Sequence, residues 1–338
     1  MADALTEIAA GDLSGPQSFA EIVRGCRPVV IRGLVDEWPA VAAARRSVRE
    51  LQEYLAGFDV GADVEAFFGE RSIRGKYYYG ADLKGFNFER RQMKFLEALK
   101  VMLETLEASD APTVYVGSVP LSLCLPRFSA ANPLALLPEG VPGRIWLGHP
   151  ADVSSHYDAY DNLACVVAGR RRFTLYAPEH IGKLYMGPID HTMAGPPVSL
   201  AASAPAGQED RYPLFATIRD QAQVAELEPG DALYLPKLWW HQVESTAPFN
   251  VMINHWWDAF SAGPDAPYTS LLLAMICIAE RPERERQAWR AFFDHLVFRT
   301  HGHPLAHLPP EQHGLLGPLK PNNYGYIRAR ILRMLRGQ

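Results

Sequence analysis

The sequence predicts a mainly β protein with added helices, built around a double-stranded jelly-roll barrel. Two observations predict this fold class. Short apolar segments alternate with glycine, proline and aspartate through the middle of the chain, and apolar residues recur at helical spacing near both ends. Many short strands separated by turn residues are typical of jelly rolls, because each strand of such a barrel buries one face against the opposite sheet.

The strand pattern is clearest between residues 162 and 257. Residues 162–167 are largely apolar, Gly169 interrupts them, and residues 171–176 resume an alternating pattern, which predicts a hairpin with a glycine-containing turn. The Glu-Pro-Gly-Asp turn signal at 228–231 precedes a short strand at 232–236, and residues 249–257 form another apolar strand.

Helices are expected outside this region. The N-terminal part predicts a helix at 18–24, a strand at 29–34 and a helix at 47–56, and residues 89–106 place four apolar side chains on one helical stripe. Further helices are predicted at 268–280, 283–299 and 326–335. We therefore divide the chain into a barrel domain with N-terminal α/β elements, residues 1–262, and a helical extension, residues 263–338.

Composition narrows the class of protein. The 338 residues are 48% hydrophobic, enough for one large barrel, and the net charge of -5 gives no general attraction to nucleic acid or to anionic membranes. The longest apolar run, 271–279, is too short to span a bilayer. The four cysteines are scattered without metal-binding spacing, and we find no secretory signal, so we predict a reducing, cytoplasmic setting.

Two histidines and an aspartate give the barrel a candidate metal site. His156 and Asp158 are two residues apart, and residues at this spacing on a strand share a face. His241 follows two tryptophans and would come from a neighbouring strand. Two histidines and one carboxylate form the facial site that holds ferrous iron and leaves positions open. The alternatives are a chance His-x-Asp pair and a histidine packed in the core.

Residues 144–258 resemble the JmjC-type, cupin-like 2-oxoglutarate oxygenases, and among them the asparaginyl hydroxylases. The matching segments are HYDAYDNLACVVAGRRRFTLYAPEH, PGDALYLPKLWWHQVES and NVMINHWW, which occur in the family's order. Residues 27–40 also resemble the family's opening, so the similarity extends over about residues 16–260.

The resemblance implies an enzyme with a defined set of site residues. His156, Asp158 and His241 would be the catalytic ligands of Fe(II), with 2-oxoglutarate as co-substrate. The expected reaction is hydroxylation of a protein or peptide side chain, with release of succinate and carbon dioxide. The other residues implied to bind co-substrate or to line its pocket are Tyr115, Asn162, Arg171 and Asn254.

Two positions depart from the family's pattern. Arg171 stands where the family usually has a lysine, two residues after the hairpin glycine, and arginine can still hold a carboxylate through two hydrogen bonds. Val153 stands where the family tends to have a threonine that donates to the same carboxylate. The alternative is that Arg171 is a solvated charged residue on the strand, although alternation directs it to the face opposite Arg170 and Arg172.

Two alternative functions stay open. The departures motivate the first, a metal-binding cupin-like module without catalysis, and the second is an oxygenase that acts on a small molecule. The long insertion at 196–220 is a candidate substrate-binding loop. Because C-terminal helices form homodimer interfaces in relatives of this family, a homodimer is expected, the alternative being that the helices cap the barrel.

Overall fold

Fourteen strands in the described part of the chain form two sheets. The strands are β1 (Thr6–Ala9), β2 (Val29–Arg32), β3 (Asp63–Gly69), β4 (Lys76–Tyr77), β5 (Phe88–Lys94), β6 (Thr113–Pro120), β7 (Gly143–Gly148), β8 (Ala151–Tyr157), β9 (Asp161–Ala168), β10 (Arg171–Tyr176), β11 (Gln223–Leu227), β12 (Ala232–Leu235), β13 (Trp240–Ser245) and β14 (Asn250–Trp257). The computed structural model describes residues 4–80, 84–106, 108, 111–192, 195, 197–204, 209–261 and 263–337.

Ten α-helices accompany the strands in this described part. They are α1 (Pro16–Arg24), α2 (Pro39–Arg46), α3 (Val48–Ala56), α4 (Phe95–Glu104), α5 (Leu121–Cys124), α6 (Phe128–Ala131), α7 (Pro213–Ala216), α8 (Pro267–Ile278), α9 (Glu283–Leu296) and α10 (Pro321–Leu335). The chain divides into two compact units, Met1–Asp258 and Ala259–Gln338.

The two sheets give the first unit a cupin-like jelly-roll core. The larger sheet has the order β1-β2-β12-β9-β14-β7-β6-β3-β5, and the smaller one has the order β11-β10-β13-β8-β4. Side chains from both sheets meet in one buried cluster, for example Leu233 of the larger sheet and Phe173 of the smaller. Burial of such apolar surface stabilises a sandwich by about 25 cal/mol per Å². The predicted fold class, a jelly roll with helical additions, is confirmed.

The predicted hairpin around Gly169 is wrong, although both of its strands exist. Strand β9 pairs with β12 and β14 in the larger sheet, whereas β10 pairs with β11 and β13 in the smaller one. Gly169 has φ +77°, and its neighbour Arg170 donates from its backbone N–H to Asn250 Oδ1 over 3.2 Å. The glycine therefore turns the chain from one sheet to the other at a corner of the barrel.

The predicted helix at 89–106 is half strand. Residues Phe88–Lys94 form β5, which pairs antiparallel with β3 over its whole length, and the helix starts only at Phe95. Most side chains of β5 are exposed and charged or polar, so no alternating apolar pattern marks it as a strand. Pairing with β3 at the edge of the sheet overrides the helical propensity of these residues.

The second unit contains α8, α9 and α10, close to the three helices predicted there. None of the described side chains on these helices is buried. Among the described residues, we find no helix with the length and apolar character needed to cross a bilayer. The four cysteines, Cys26, Cys124, Cys165 and Cys277, are all free.

Candidate metal centre

His156, Asp158 and His241 converge at one end of the smaller sheet. His156 on β8 and His241 on β13 are direct partners in the antiparallel register, so their side chains project on the same side, with ring centroids 4.2 Å apart. Asp158 lies one residue beyond the end of β8. One ligand atom from each of the three residues lies within 4.8 Å of the other two.

Backbone carbonyls fix the orientation of both imidazoles. His156 Nδ1 lies 2.8 Å from the carbonyl oxygen of Ser154, and His241 Nδ1 lies 3.0 Å from that of Trp239. Since a carbonyl oxygen only accepts, each neutral ring carries its proton on Nδ1 and leaves a lone pair on Nε2. A hydrogen bond of this kind behind a histidine is the usual support for a metal ligand.

The electrostatics of the three side chains suit a cation. Burial, together with the electrostatic influence of the neighbouring His156, lowers the pKa of His241 well below its usual value, which keeps its imidazole neutral. Burial raises the pKa of Asp158. His156 and the nearby indole N–H of Trp256 act in the opposite direction and lower this pKa, although the indole N–H does not complete a hydrogen bond of good geometry. Nothing cationic in the described residues pairs with this carboxylate apart from the histidines, whereas a divalent cation would stabilise its charged form.

The three residues stand at the side of a cavity of about 300 Å³, which is at the small end of ligand pockets. Both His156 and Asp158 line it, and its walls are largely aromatic. Phe67 and Phe88 pack with centroids 4.8 Å apart, and Tyr77 packs against Phe88 at 5.4 Å. Such walls exclude water and strengthen any electrostatic contact made inside.

Arg171 is buried next to this cavity without an acidic partner. It is the first residue of β10 and only 2% exposed, and its Nε and Nη2 atoms have no hydrogen-bond partner among the described residues. Its guanidinium interacts with Tyr115, which lines the cavity, although Arg171 itself is not a lining residue. Burial lowers the pKa of Arg171 and raises that of Tyr115. An incoming carboxylate would supply the acceptor that these donors lack.

Val153 lines the cavity three residues before His156 on β8. It also packs against the aromatic cluster that contains Tyr77 and Tyr115. The cavity therefore has an apolar wall at the position where a hydroxyl donor was expected from the family's pattern.

Asn162 and Asn254 lie one layer behind the cavity wall. Asn254 donates from Nδ2 to Asn162 Oδ1 over 3.1 Å and accepts from Trp146 Nε1 over 2.7 Å. Trp146 lines the cavity, whereas neither asparagine is among its lining residues. The pair fixes the position of the Trp146 indole.

Several lining residues were not predicted from the sequence, namely Phe67, Tyr77, Phe88, Gly117, Ser118, Arg144, Trp146, Ser154 and Trp256. For Trp256, a signal existed, because it lies two residues after Asn254 on the same strand and so shares its face. For Phe67 and Phe88 none existed, since their strands are distant in sequence and reach the cavity only through the topology of the larger sheet.

Part of the predicted insertion at 196–220 contacts the site, while residues 196 and 205–208 lie outside the described residues. Val198 lines the cavity and forms an isolated β-bridge with His156. Ser199 donates from its backbone N–H to the Ser155 carbonyl over 2.7 Å, and Ser203 Oγ accepts from Ser155 N–H over 3.0 Å. The insertion is thus tied to the strand that carries the first histidine.

The chain is similar to several curated proteins. It is 38% identical over 127 residues to Jumonji C domain-containing protein 5 of Drosophila melanogaster, which is 36% of this chain and 29% of that protein. The human HSPB1-associated protein 1 is 32% identical over 161 residues, 44% of this chain and 32% of the relative. Lysine-specific demethylase JMJ31 of Arabidopsis thaliana is 36% identical over 106 residues, 31% of this chain and 19% of the relative.

The matches therefore span no more than about a third of these relatives, 19% to 32% of their lengths. They support the JmjC-type resemblance, but they do not show the closer resemblance to asparaginyl hydroxylases. A family model described as a cupin-like domain matches residues 16–263. Its bounds enclose every strand except β1, the three converging side chains and the residues that line the cavity. The chain therefore belongs to the cupin-like domain family.

Proposed function

We propose that the chain is an Fe(II)- and 2-oxoglutarate-dependent oxygenase that hydroxylates a side chain of a protein or peptide. The observation that carries this proposal is the convergence of His156, Asp158 and His241 within 4.8 Å at the wall of an aromatic cavity. The family generally uses this metal and co-substrate, and two relatives bear the JmjC-type names given above.

In this proposal, the chain's own residues bind the metal, orient its ligands and shield the site from water. His156 and His241 offer Nε2 lone pairs, held in direction by the carbonyls of Ser154 and Trp239, and Asp158 offers a carboxylate oxygen. Bound ferrous iron together with 2-oxoglutarate would supply the oxidation, with molecular oxygen as oxidant. The aromatic walls would keep water from the reacting groups.

Arg171 and Tyr115 would hold the distal carboxylate of 2-oxoglutarate. The two unpaired guanidinium nitrogens of Arg171 are the donors available for it, and the Tyr115 hydroxyl is a neighbouring third. The pairing would remove the unfavourable burial of an uncompensated charge, which links co-substrate binding to the stability of the barrel.

A polypeptide is the substrate we favour over a small molecule. The insertion at 196–220 is long enough to contact an extended segment, and its residue Val198 lines the cavity beside His156. We keep the small-molecule oxygenase as the alternative. The cytoplasmic location and the absence of a nucleic-acid partner stay predictions from composition.

One observation favours a different class, a metal-binding module without catalysis. Val153 gives the cavity an apolar wall where the family tends to offer a hydroxyl donor, and a weaker hold on 2-oxoglutarate follows if nothing compensates. Formation of succinate separates the two classes, because a module without catalysis does not consume 2-oxoglutarate.

The test is conversion of uniformly ¹³C-labelled 2-oxoglutarate to succinate, followed by NMR in air with ferrous iron and ascorbate. The oxygenase should form succinate above the iron-free background, and Asp158→Asn should abolish this formation. Asp152→Asn is the matched control, because it makes the same change on β8, where Asp152 pairs with Lys76 and Gln242 instead. Succinate formation by Asp158→Asn at the wild-type rate would exclude the proposed site, and its absence from the iron-loaded wild type would favour the module.

A further inference from the structure

Unlike Arg171, Arg144 lines the cavity directly, and the proposed function gives it no role. It is on β7, and it is the only lysine or arginine among the described lining residues. Its guanidinium lies over the ring of Trp256, with Cζ 5.4 Å from the ring centroid. No ion pair to Arg144 is found among the described residues, so its charge faces the cavity without a counter-ion.

Ser118 holds this arginine in place. Arg144 donates from Nε to Ser118 Oγ over 2.7 Å and from Nη2 to the Ser118 carbonyl over 2.6 Å. These two bonds occupy one edge of the planar guanidinium and leave Nη1 for another acceptor. The side chain is therefore positioned by the fold before any ligand arrives, which lowers the entropic cost of binding.

The backbone around Ser118 is strained where it makes these contacts. Ser118 has φ +57°, a left-handed conformation that non-glycine residues rarely adopt, and the β6–β7 register shifts between Val116 and Val119. Such a conformation is energetically unfavourable and is concentrated at functional sites. At the neighbouring Gly117, an added Cβ would meet the Tyr115 ring at 3.0 Å and the Trp146 ring at 3.2 Å. This bulge therefore shapes the cavity and turns both acceptors of Ser118 toward Arg144.

We propose that Arg144 binds a carboxylate of the molecule that is oxidised, so that the substrate of this site is acidic. This inference rests on the proposed oxygenase function, in which Arg171 holds the co-substrate and Arg144 is left for the substrate. One cation with a single free edge matches a monoanionic carboxylate, whereas a dianionic phosphate would call for a second cation. The carboxylate belongs to an aspartate or glutamate side chain of a polypeptide, or to a free small acid.

The test is ligand-observed NMR titration of the metal-free chain, which leaves the metal out of the measurement. The acidic probe is the blocked tripeptide acetyl-Gly-Glu-Gly-amide, and its neutral match contains Gln in place of Glu. We expect saturable binding of the acidic peptide and at least about tenfold weaker binding of the neutral one, the difference between a charge-assisted contact and none. Propionate, the same acid without the peptide, distinguishes the two sources of the carboxylate. Tighter binding of the peptide would indicate a polypeptide substrate, and tighter binding of propionate would indicate a free small acid.

Three variants test whether the charge of Arg144 holds the acidic peptide. Arg144→Gln should weaken binding of the acidic peptide about tenfold, while Arg144→Lys, which keeps the charge but not the bond from Nε, should recover part of it. Arg172→Gln is the matched control, because this residue of β10 has a side chain that is 49% exposed and outside the cavity. If Arg144→Gln does not fold, Arg144→Lys carries the test, with an expected loss smaller than tenfold but measurable.

Three results would overturn the inference. Equal binding of the acidic and neutral peptides would show that the carboxylate is not recognised. If Arg171→Gln lost binding of the acidic peptide while Arg144→Gln kept it, the anion would belong to the co-substrate pocket. Tighter binding of acetyl-Gly-phosphoserine-Gly-amide than of the acidic peptide would name phosphate instead. Failure of the proposed oxygenase function would leave these metal-free titrations unchanged, so the two failures are distinguishable.

Discussion

Arg171 shows how one residue couples burial to function. A guanidinium that is 2% exposed, and whose Nε and Nη2 find no partner in the part of the chain that the structure describes, is unfavourable unless an acceptor arrives. Alternation along β10 explains its position, because Arg172 is exposed and Phe173 is buried with Arg171. The burial of Arg171 therefore follows from the strand pattern, whereas its lack of a partner does not.

We predict that Arg171→Ala weakens 2-oxoglutarate binding by about tenfold or more while iron affinity is unchanged, since the side chain offers charge-assisted bonds to the carboxylate and none to the metal. Isothermal titration of the metal-free chain with the metal measures the metal affinity, and titration of the iron-loaded or manganese-loaded chain with 2-oxoglutarate measures the co-substrate affinity. Arg172→Ala is the control on the same strand. An unchanged 2-oxoglutarate affinity in Arg171→Ala would remove this residue from the pocket.

His255 makes stability depend on pH. Burial lowers its pKa to about 4, and neither ring nitrogen completes a hydrogen bond among the described residues. Because its folded-state pKa lies below the unfolded value of about 6.5, the unfolded chain binds the proton more readily. The folded chain therefore loses stability as the pH falls from about 6.5 toward 4.

We predict that His255→Phe removes this dependence, since an apolar ring of similar shape does not titrate. Between pH 7 and pH 5, the free energy of unfolding of the variant should fall by about 2 kcal/mol less than that of the wild type. Urea unfolding of the metal-free chain at both pH values measures this difference. Parallel losses in the two proteins would show that His255 does not titrate on unfolding.

At the scale of elements, the corner between β9 and β10 fixes how the two sheets meet. Gly169 has φ +77°, and a Cβ there would lie 2.2 Å from Asn250 Oδ1. The next strand, β10, pairs with β13, which carries His241. The corner is therefore connected to the candidate metal centre through two adjacent, hydrogen-bonded strands.

We predict that Gly169→Ala destabilises the first unit by on the order of 1–3 kcal/mol, because the substitution adds both backbone strain and a steric clash. Gly182→Ala is the matched control, since no heavy atom lies within 4 Å of the added Cβ and its φ is not in the left-handed region. Urea unfolding of both variants gives the comparison. Equal stability of the two would mean that the corner does not constrain the barrel.

The same corner shows what the sequence can and cannot predict. The apolar run before Gly169 and the alternation after it predict both strands, because strand formation depends on local pattern. Their pairing is not local, and a glycine turn between two strands is equally compatible with a hairpin or with a change of sheet. Likewise, β5 carries charged residues without alternation, so only its pairing with β3 makes it a strand.

The candidate site is predictable to a similar extent. The His-x-Asp spacing and a third ligand on a neighbouring strand follow from strand geometry, and the pairing of His156 with His241 fits that geometry. The role of Trp146 and the bulge at Ser118 depend on contacts between distant segments. No local pattern encodes such contacts, so the sequence alone does not predict these two residues.

At the scale of the whole molecule, the second unit leaves a large apolar surface uncovered. Its helices bury none of their described side chains, and the exposed apolar residues include Leu271, Met275, Ile276, Trp289, Phe292, Ile331, Met334 and Leu335. Among them, Trp289, Ile331 and Leu335 line one groove of this unit, and contiguous exposed apolar surface usually marks an interface. We propose that this surface joins two copies of the chain.

We predict a homodimer with twice the 37.6 kDa mass of the chain. Ile276→Glu should dissociate it, because Ile276 is 82% exposed on α8 and a buried glutamate at an interface is unfavourable. Val60→Glu, at a position that is 58% exposed in the first unit, is the control. Light scattering after size exclusion measures the mass, and a monomeric wild type would exclude the homodimer.

The most direct test of the central proposal is an anaerobic titration of the metal-free chain, first with ferrous iron and then with 2-oxoglutarate. If His156, Asp158 and His241 hold iron beside a co-substrate pocket, a visible metal-to-ligand charge-transfer band should appear and saturate at one equivalent. His156→Ala should bind neither partner in this way. Iron binding without the band in the wild type would contradict the assignment of 2-oxoglutarate, and no iron binding would contradict the metal centre itself.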